Sequence, residues 1–341
     1  LPNLLFRNPK NIIMVNVNFK QVCDELLSQL PAKQREVIER RFGLKTGHRE
    51  TLEAIGKSRN ICRERVRQIE KASLAKMKKK ISNYKEVSKA FAKHLKNFGG
   101  VREENALLQD LGGENFKAHA YFLLTLLGDF TRTAGDDDFN CFWALDRESI
   151  DAARNFVSAS VAKLEEKKQL ASIRELVGLS GIKKPVAESY LAISKKIQKN
   201  KEDLYGLREW PEVNPKGIKD KIYLLLKKAG EPLHFIDVAR GIEGSLVQTV
   251  HNELIRDPRF VLIGRGIYAL KNWGYIEGDV KDVISNIIGS ESRPLTKQEI
   301  LDRVMKQRHI KENTVLMNLS NKRYFSRDDQ GRYTRVNVQE A

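Results

Sequence analysis

Between Ile61 and Lys80 the chain carries eight Lys or Arg and two Glu. Placed at about 100° per residue, Arg63, Glu64, Arg67, Gln68 and Lys71 fall on one side of a helix, with Cys62, Val66, Ile69 and Ser73 on the other. One face is polar and the other suits a core. The polar side chains are of the types that bond base-pair edges: Arg to guanine O6 and N7, Gln to adenine, and Glu accepting from cytosine N4. The same pattern also describes a helix whose charged face is simply solvated.

The elements that must position this face are short helices. Apolar spacing gives helices over Phe19 to Leu30, Ala32 to Arg41, Thr51 to Ser58 and Arg63 to Lys80, with Gly43 and Gly47 breaking the chain between the second and third. The last two are separated by Arg59 to Cys62. That is the length of the turn in a helix-turn-helix, a geometry that sends the second helix into the major groove.

The whole chain has 341 residues and a formal net charge of +17, with a pI of about 9.6, so a polyanionic partner is favoured because each Lys or Arg near a phosphate releases a counterion. Its length predicts at least two domains. No run approaches the roughly 20 apolar residues of a membrane helix; the longest, Tyr121 to Leu127 and Ile222 to Leu226, are core-sized. Cys23, Cys62 and Cys141 are scattered and form no CxxC pair, which argues against a zinc ribbon or disulfide framework and for a reducing, cytoplasmic setting. Residues 1–13 precede Met14 and the first well-patterned segment, and are set aside as an extension that need not be native.

The stretch LPAKQREVIERRFGL, Leu30 to Leu44, followed by TLEAIGKSRNICRERVRQIEKASLAKMKK, Thr51 to Lys79, resembles region 4 of housekeeping bacterial sigma factors, most specifically in RERVRQIE, Arg63 to Glu70. The resemblance implies that Arg63, Glu64, Arg67 and Gln68 face the major groove of a promoter element, while Lys33, Thr51 and Leu52 sit against phosphates. Free N–H groups at the start of the Thr51 helix suit that second role. It also implies a second surface that docks on the beta-subunit flap of RNA polymerase through apolar residues. Val37, Ile38 and Phe42 are the candidates there, with plain core as their alternative reading. Two positions depart from the family: Arg59 stands where an aromatic residue is usual, and Cys62 replaces a capping Thr, a loss of about 1 kcal/mol unless Asn60 caps instead. The regions that bind and melt the minus-10 element have no counterpart.

The carboxyl half repeats. PLHFIDVARGI, Pro232 to Ile242, corresponds to PLTKQEILDRV, Pro294 to Val304, at an offset of 62; Thr249, Val250, Leu254, Phe260, Gly266 and Tyr268 then match Thr314, Val315, Leu319, Phe325, Gly331 and Tyr333 at an offset of 65. Each copy reads as helix, short strand, two helices and a hairpin around a glycine, which is a winged helix. A third copy lies upstream, where YGLREW, Tyr205 to Trp210, matches YALKNW, Tyr268 to Trp273, and a degenerate fourth ends in the hairpin-like FTRTAGDDDFNCFWAL. Residues 218–275 resemble the HARE-HTH domain, also found at the amino end of the RNA polymerase delta subunit. That resemblance implies association with transcription or DNA; Arg259, Arg265 and Lys271 are the candidate phosphate contacts, or merely solvated charges.

Enzymatic chemistry is not legible. Gly56-Lys57-Ser58 lacks the upstream Gly of a phosphate-binding loop, since Thr51 stands there. Asp136, Asp137 and Asp138 read as a hairpin tip, and the six His show no metal-ligand spacing. The expectation is therefore a mainly α chain with no cofactor or metal: a sigma region 4-like helix-turn-helix over 14–82, then tandem winged helices over 86–147 (degenerate), 148–212, 215–275 (HARE-HTH) and 278–337. Its expected work is sequence-specific recognition of a promoter element in double-stranded DNA, with RNA polymerase core as protein partner and no membrane. Two alternatives stand beside it: a polymerase accessory factor of the delta kind acting by protein contacts, and the DNA-targeting subunit of a DNA-processing complex. Nothing in the sequence fixes the oligomeric state.

Overall fold

The computed structural model describes residues 17–178 and 180–336; the extension over residues 1–13 lies outside them. The chain is mainly helical with small sheets and divides into two compact units, Leu1–Glu209 and Trp210–Ala341.

The first unit begins with four helices, α1 (Phe19–Ser28), α2 (Ala32–Phe42), α3 (Leu52–Ser58) and α4 (Arg63–Ile81). Local chemistry sets their ends. Asn18 caps α1, its side chain accepting from the Gln21 N–H at 3.1 Å, and the Thr51 hydroxyl accepts from Ala54 N–H at 3.1 Å to cap α3. Gly43 stops α2 with φ +68°, and a Cβ there would lie 2.7 Å from the His48 backbone, so only glycine fits.

Next come α5 (Lys85–Asn97), β1 (Val101–Glu103), α6 (Glu104–Leu127), β2 (Thr131–Thr133) and β3 (Phe142–Ala144), with strand order β1-β3-β2. Gly113, at φ +53° and ψ −161°, breaks α6 into two helical stretches, so this segment also runs helix, strand, two helices, hairpin. Its core is continuous with that of the preceding helices: Leu26, Leu27, Ile38 and Phe42 share one cluster with Val87, Phe91, Leu95, Phe122 and Leu123. The Phe42 ring meets the edge of Phe122 at 5.0 Å between centroids. Ile38 and Phe42 are buried in this cluster and Val37 in a smaller one under α4, so of the two readings of these residues the structure bears out plain core and corrects the docking one.

The unit closes with α7 (Arg147–Lys167), α8 (Ile173–Val177), α9 (Lys184–Ala192), β4 (Ile197–Lys199) and β5 (Tyr205–Leu207); a single bridge, Ala171 to Tyr205, stands where a first strand would be. The hairpin tip before β3 is tied to this module. Lys195 N–H donates to Asp138 O and Asn140 N–H to Ile193 O, each at 2.8 Å, and Lys196 pairs with Asp138 at 2.8 Å. Asp136 turns the tip by accepting from the Asp138 and Phe139 N–H groups.

The second unit holds two copies of one order. The first has α10 (Ile218–Ala229), β6 (Leu233–His234), α11 (Phe235–Arg240), α12 (Val247–Arg256), β7 (Phe260–Gly264) and β8 (Ile267–Leu270). The second has α13 (Val280–Gly289), β9 (Leu295–Thr296), α14 (Lys297–Gln307), α15 (Glu312–Leu319), β10 (Phe325–Arg327) and β11 (Arg332–Arg335). The sheet orders, β6-β8-β7 and β9-β11-β10, are equivalent. The repeated residues are core residues: Val250, Leu254, Phe260 and Tyr268 in one cluster, Val315, Leu319 and Phe325 with Tyr333 at its edge in the other. The buried Arg308 joins the copies by donating to the carbonyls of Leu262, Ile276 and Gly278, beside a His309 N–H to Ile263 O bond of 2.9 Å.

Candidate nucleic-acid interface

Helix α4 owes its position to a small cluster beneath it, Val37, Ile55 and Val66, with Leu52, Ile61 and Ile69 at its edge. The turn from α3 into α4 is tight. Asn60 is left-handed at φ +54°, Ile61 N–H bonds Gly56 O at 3.1 Å, and a Cβ on Gly56 would come within 2.7 Å of Ile61 O. Ion pairs brace the turn from α2. Arg40 grips Glu50 with two bonds of 2.8 and 2.6 Å, Arg41 reaches Glu70 at 3.2 Å, and Arg59 chelates Glu36. The bond from Arg59 holds the Glu36 carboxyl below its ordinary range. Arg59, where the family has an aromatic residue, thus clamps the turn by charge instead of by a ring.

On α4 itself Arg63, Glu64, Arg67, Gln68 and Lys71 are all exposed, while Val66 and Ser73 are buried. The side chains are ordered among themselves. Arg67 makes a bidentate pair with Glu64 at 2.8 and 2.7 Å, and this bond keeps the Glu64 carboxyl below the usual range. The Gln68 side-chain oxygen accepts from Arg65 at 3.1 Å. Cys62 is the residue that caps α4, without a side-chain bond to the helix. Asn60 lies in the turn and does not substitute for a capping Thr.

Around this face Lys33 is exposed in the first turn of α2, Thr51 caps α3, and Leu52 is half-buried against the cluster under α4. The Thr51 hydroxyl is engaged with Ala54 N–H. Sequence reasoning missed the bracing residues. The Arg65–Gln68 contact is an i, i+3 pair that a helical wheel could have suggested; Glu36 and Arg59, 23 residues apart, left no such signal.

The candidates in the second unit separate. Arg259 is held by Asp257 at 2.7 Å and by the buried Asp220 at 2.9 Å, so it ties β7 to α10 and is not free for a phosphate. Lys271 pairs with Glu277 at 2.7 Å. Arg265 is exposed on the hairpin.

No helix among the described residues is long and apolar enough to cross a membrane. Comparison with known proteins agrees with the geometry of the first four helices. Residues 26–79 match the family Sigma-70, region 4. The chain is 38% identical over 71 residues to the RNA polymerase sigma factor sigB of Arabidopsis thaliana, covering 21% of this chain and 12% of that protein. It is 39% identical over 71 residues to the sigma factor RpoS of Coxiella burnetii, 21% and 20% of the two chains, and 40% identical over 70 residues to SigA of Clostridium acetobutylicum, 19% and 18%. The chain thus spans at most a fifth of these relatives, and the similarity is confined to one region. Residues 26–79 form a Sigma-70 region 4 domain.

Proposed function

We propose that the protein is a sequence-specific DNA-binding transcription factor, sigma-like in its first module, that recognises a promoter element through α4 and associates with RNA polymerase in the cytoplasm. The observation that carries this reading is the outward polar face of α4. Arg63, Glu64, Arg67 and Gln68 project from a helix whose opposite side is locked to a core, so their tips are at a defined height above a rigid support. In the complex, Arg67 would exchange its Glu64 partner for guanine O6 and N7, releasing the carboxylate to cytosine N4, while Gln68 takes adenine. Lys33, Lys71 and the backbone N–H groups of the first turn of α3, begun by Thr51 and Leu52, would hold phosphates and fix the register.

The polymerase contact is proposed without Val37, Ile38 and Phe42, which are inside the core; a beta-flap contact would use other residues of the domain. Selection of duplexes from a random-sequence pool tests the base-reading role. Wild type should enrich a defined element, and Arg67→Ala and Gln68→Ala should each relax it at separate base pairs. Enrichment of the same element by all three proteins would refute the assignment.

One observation favours a second activity in the carboxyl half. Ile236, Leu246, Val247, Ile255 and Leu262 are all exposed on the module spanning residues 218–275. Exposed apolar side chains of this kind offer a partner protein more than they offer a phosphate, in keeping with the resemblance of this module to HARE-HTH and to the delta subunit.

A further inference from the structure

Helix α5 carries a feature that the base-reading face of α4 does not account for. Lys85, Lys89, Lys93 and Lys96 recur at spacings of four, four and three residues and are all exposed. At about 100° per residue they form one stripe, opposite the side that buries Val87, Phe91, His94 and Leu95. At 1.5 Å rise per residue the stripe is about 16 Å long, which matches the axial run of about five phosphates on one strand of a duplex.

Local acids cover single basic residues elsewhere on the surface but little of this stripe. Lys57, Lys117, Lys184 and Arg240 each meet an acid three or four residues away, Glu53, Glu114, Glu188 and Asp237. On α5 only Lys89 has such a partner, Glu86 at 3.4 Å, with both side chains more than 70% exposed, a geometry that neutralises little. Lys85, Lys93 and Lys96 make no ion pair among the described residues. Adjacent like charges at i, i+4 weaken a helix, so a closely spaced polyanion would relieve this one. The stripe also follows the recognition helix directly: Lys78, Lys79 and Lys80 end α4, and Lys85 begins α5 after a three-residue joint.

We propose that the α5 lysines form a second, sequence-independent track for duplex phosphates flanking the element read by α4. The proposal deepens the DNA-binding reading and rests on it. Because α5 and α4 share a core, the track would be fixed relative to the reading face and would extend the footprint on one side.

The test uses the full chain and two duplexes, one trimmed to the element selected from the random pool and one carrying ten further base pairs on each side. The K85Q/K89Q/K93Q/K96Q variant changes only exposed side chains, and thermal unfolding monitored by circular dichroism should match wild type. On the long duplex the slope of log K against log salt should fall by about 3.6 units, since each of the four lost phosphate contacts removes about 0.9, and affinity near 0.15 M salt should drop at least tenfold. On the trimmed duplex the loss should be small, and the selected element should be unchanged. Equal slopes for variant and wild type on the long duplex would overturn the track while leaving base reading by α4 intact. A lowered slope in a protein that selects no sequence would leave the track standing and refute the reading of α4.

Discussion

Helices α4 and α12 occupy the same place in their modules, each being the second helix after a short turn, yet they present opposite chemistry. On α4 the outward side chains are Arg63, Glu64, Arg67, Gln68 and Lys71. On α12 the outward face includes Val247 and Ile255, with Leu246 just before it, and Leu246 is 73% exposed; its amides Gln248 and Asn252 bond each other at 3.2 Å. The supports differ as well. The core below α12 closes within its own module, whereas the module of α4 shares its main core with α5 and α6. A common topology therefore delivers two surfaces fit for different partners, and the partner must be argued from the side chains and not from the fold.

The largest effect expected from this contrast is on stability. Phe42→Ala removes a ring packed on Phe122 and should cost about 3–5 kcal/mol, unfolding α1 to α6 in one transition; in the second unit, Val250→Ala should leave the α4 face and its DNA binding untouched. Chemical denaturation followed by probes in both segments would show whether the cores are coupled as described. Next in size, Arg308→Ala strips the donors from the Leu262, Ile276 and Gly278 carbonyls and should cost about 2 kcal/mol. Calorimetry should then resolve separate transitions for the two copies, where the wild type melts them together.

Much of this was legible beforehand for physical reasons. The helix starts at Phe19, Ala32 and Arg63 follow from apolar spacing and breakers, and the offset of 65 residues marked the side chains that fill two equivalent cores. Exposure of the α4 face followed from a wheel, because local periodicity decides which side a helix buries. What was not legible depends on distant contacts. Nothing local announces that Phe42 meets Phe122 or that Arg59 meets Glu36, and Arg259 looked like a free cation until Asp220, 39 residues away, came to hold it. Phe42 as a docking residue failed for the same reason: an apolar helix side looks the same whether its cover is another protein or the next segment of its own chain.

Smaller effects sharpen the comparison further. Replacing Leu246 and Ile255 together by Ser should change DNA affinity less than twofold and leave the salt slope as it was, while reducing salt-resistant capture of RNA polymerase; a large loss of DNA binding would place α12 on the duplex. The smallest effect concerns the cap of α14. Glu299 receives bonds from Arg293 and from the Thr296 backbone and hydroxyl, which draw its pKa down to about 2. A carboxylate with a depressed folded pKa contributes stability above its unfolded value and loses it as pH falls through the folded one. The melting-temperature gap between wild type and Glu299→Gln should therefore hold steady from pH 8 to about 5 and close between about pH 4.5 and 2. A gap that widened on acidification would contradict the assigned bonds.

Base reading by α4 is tested most directly by atomic substitution in the DNA. Replacing each guanine of the selected element in turn by 7-deazaguanine removes one N7 acceptor and little else. Wild type should lose about tenfold or more in affinity at one guanine, and Arg67→Ala should be indifferent to that same change, the coupling expected of a bidentate contact. Equal losses in wild type and variant at every guanine would mean that the Arg67 guanidinium meets phosphate or solvent, and that α4 does not read the sequence.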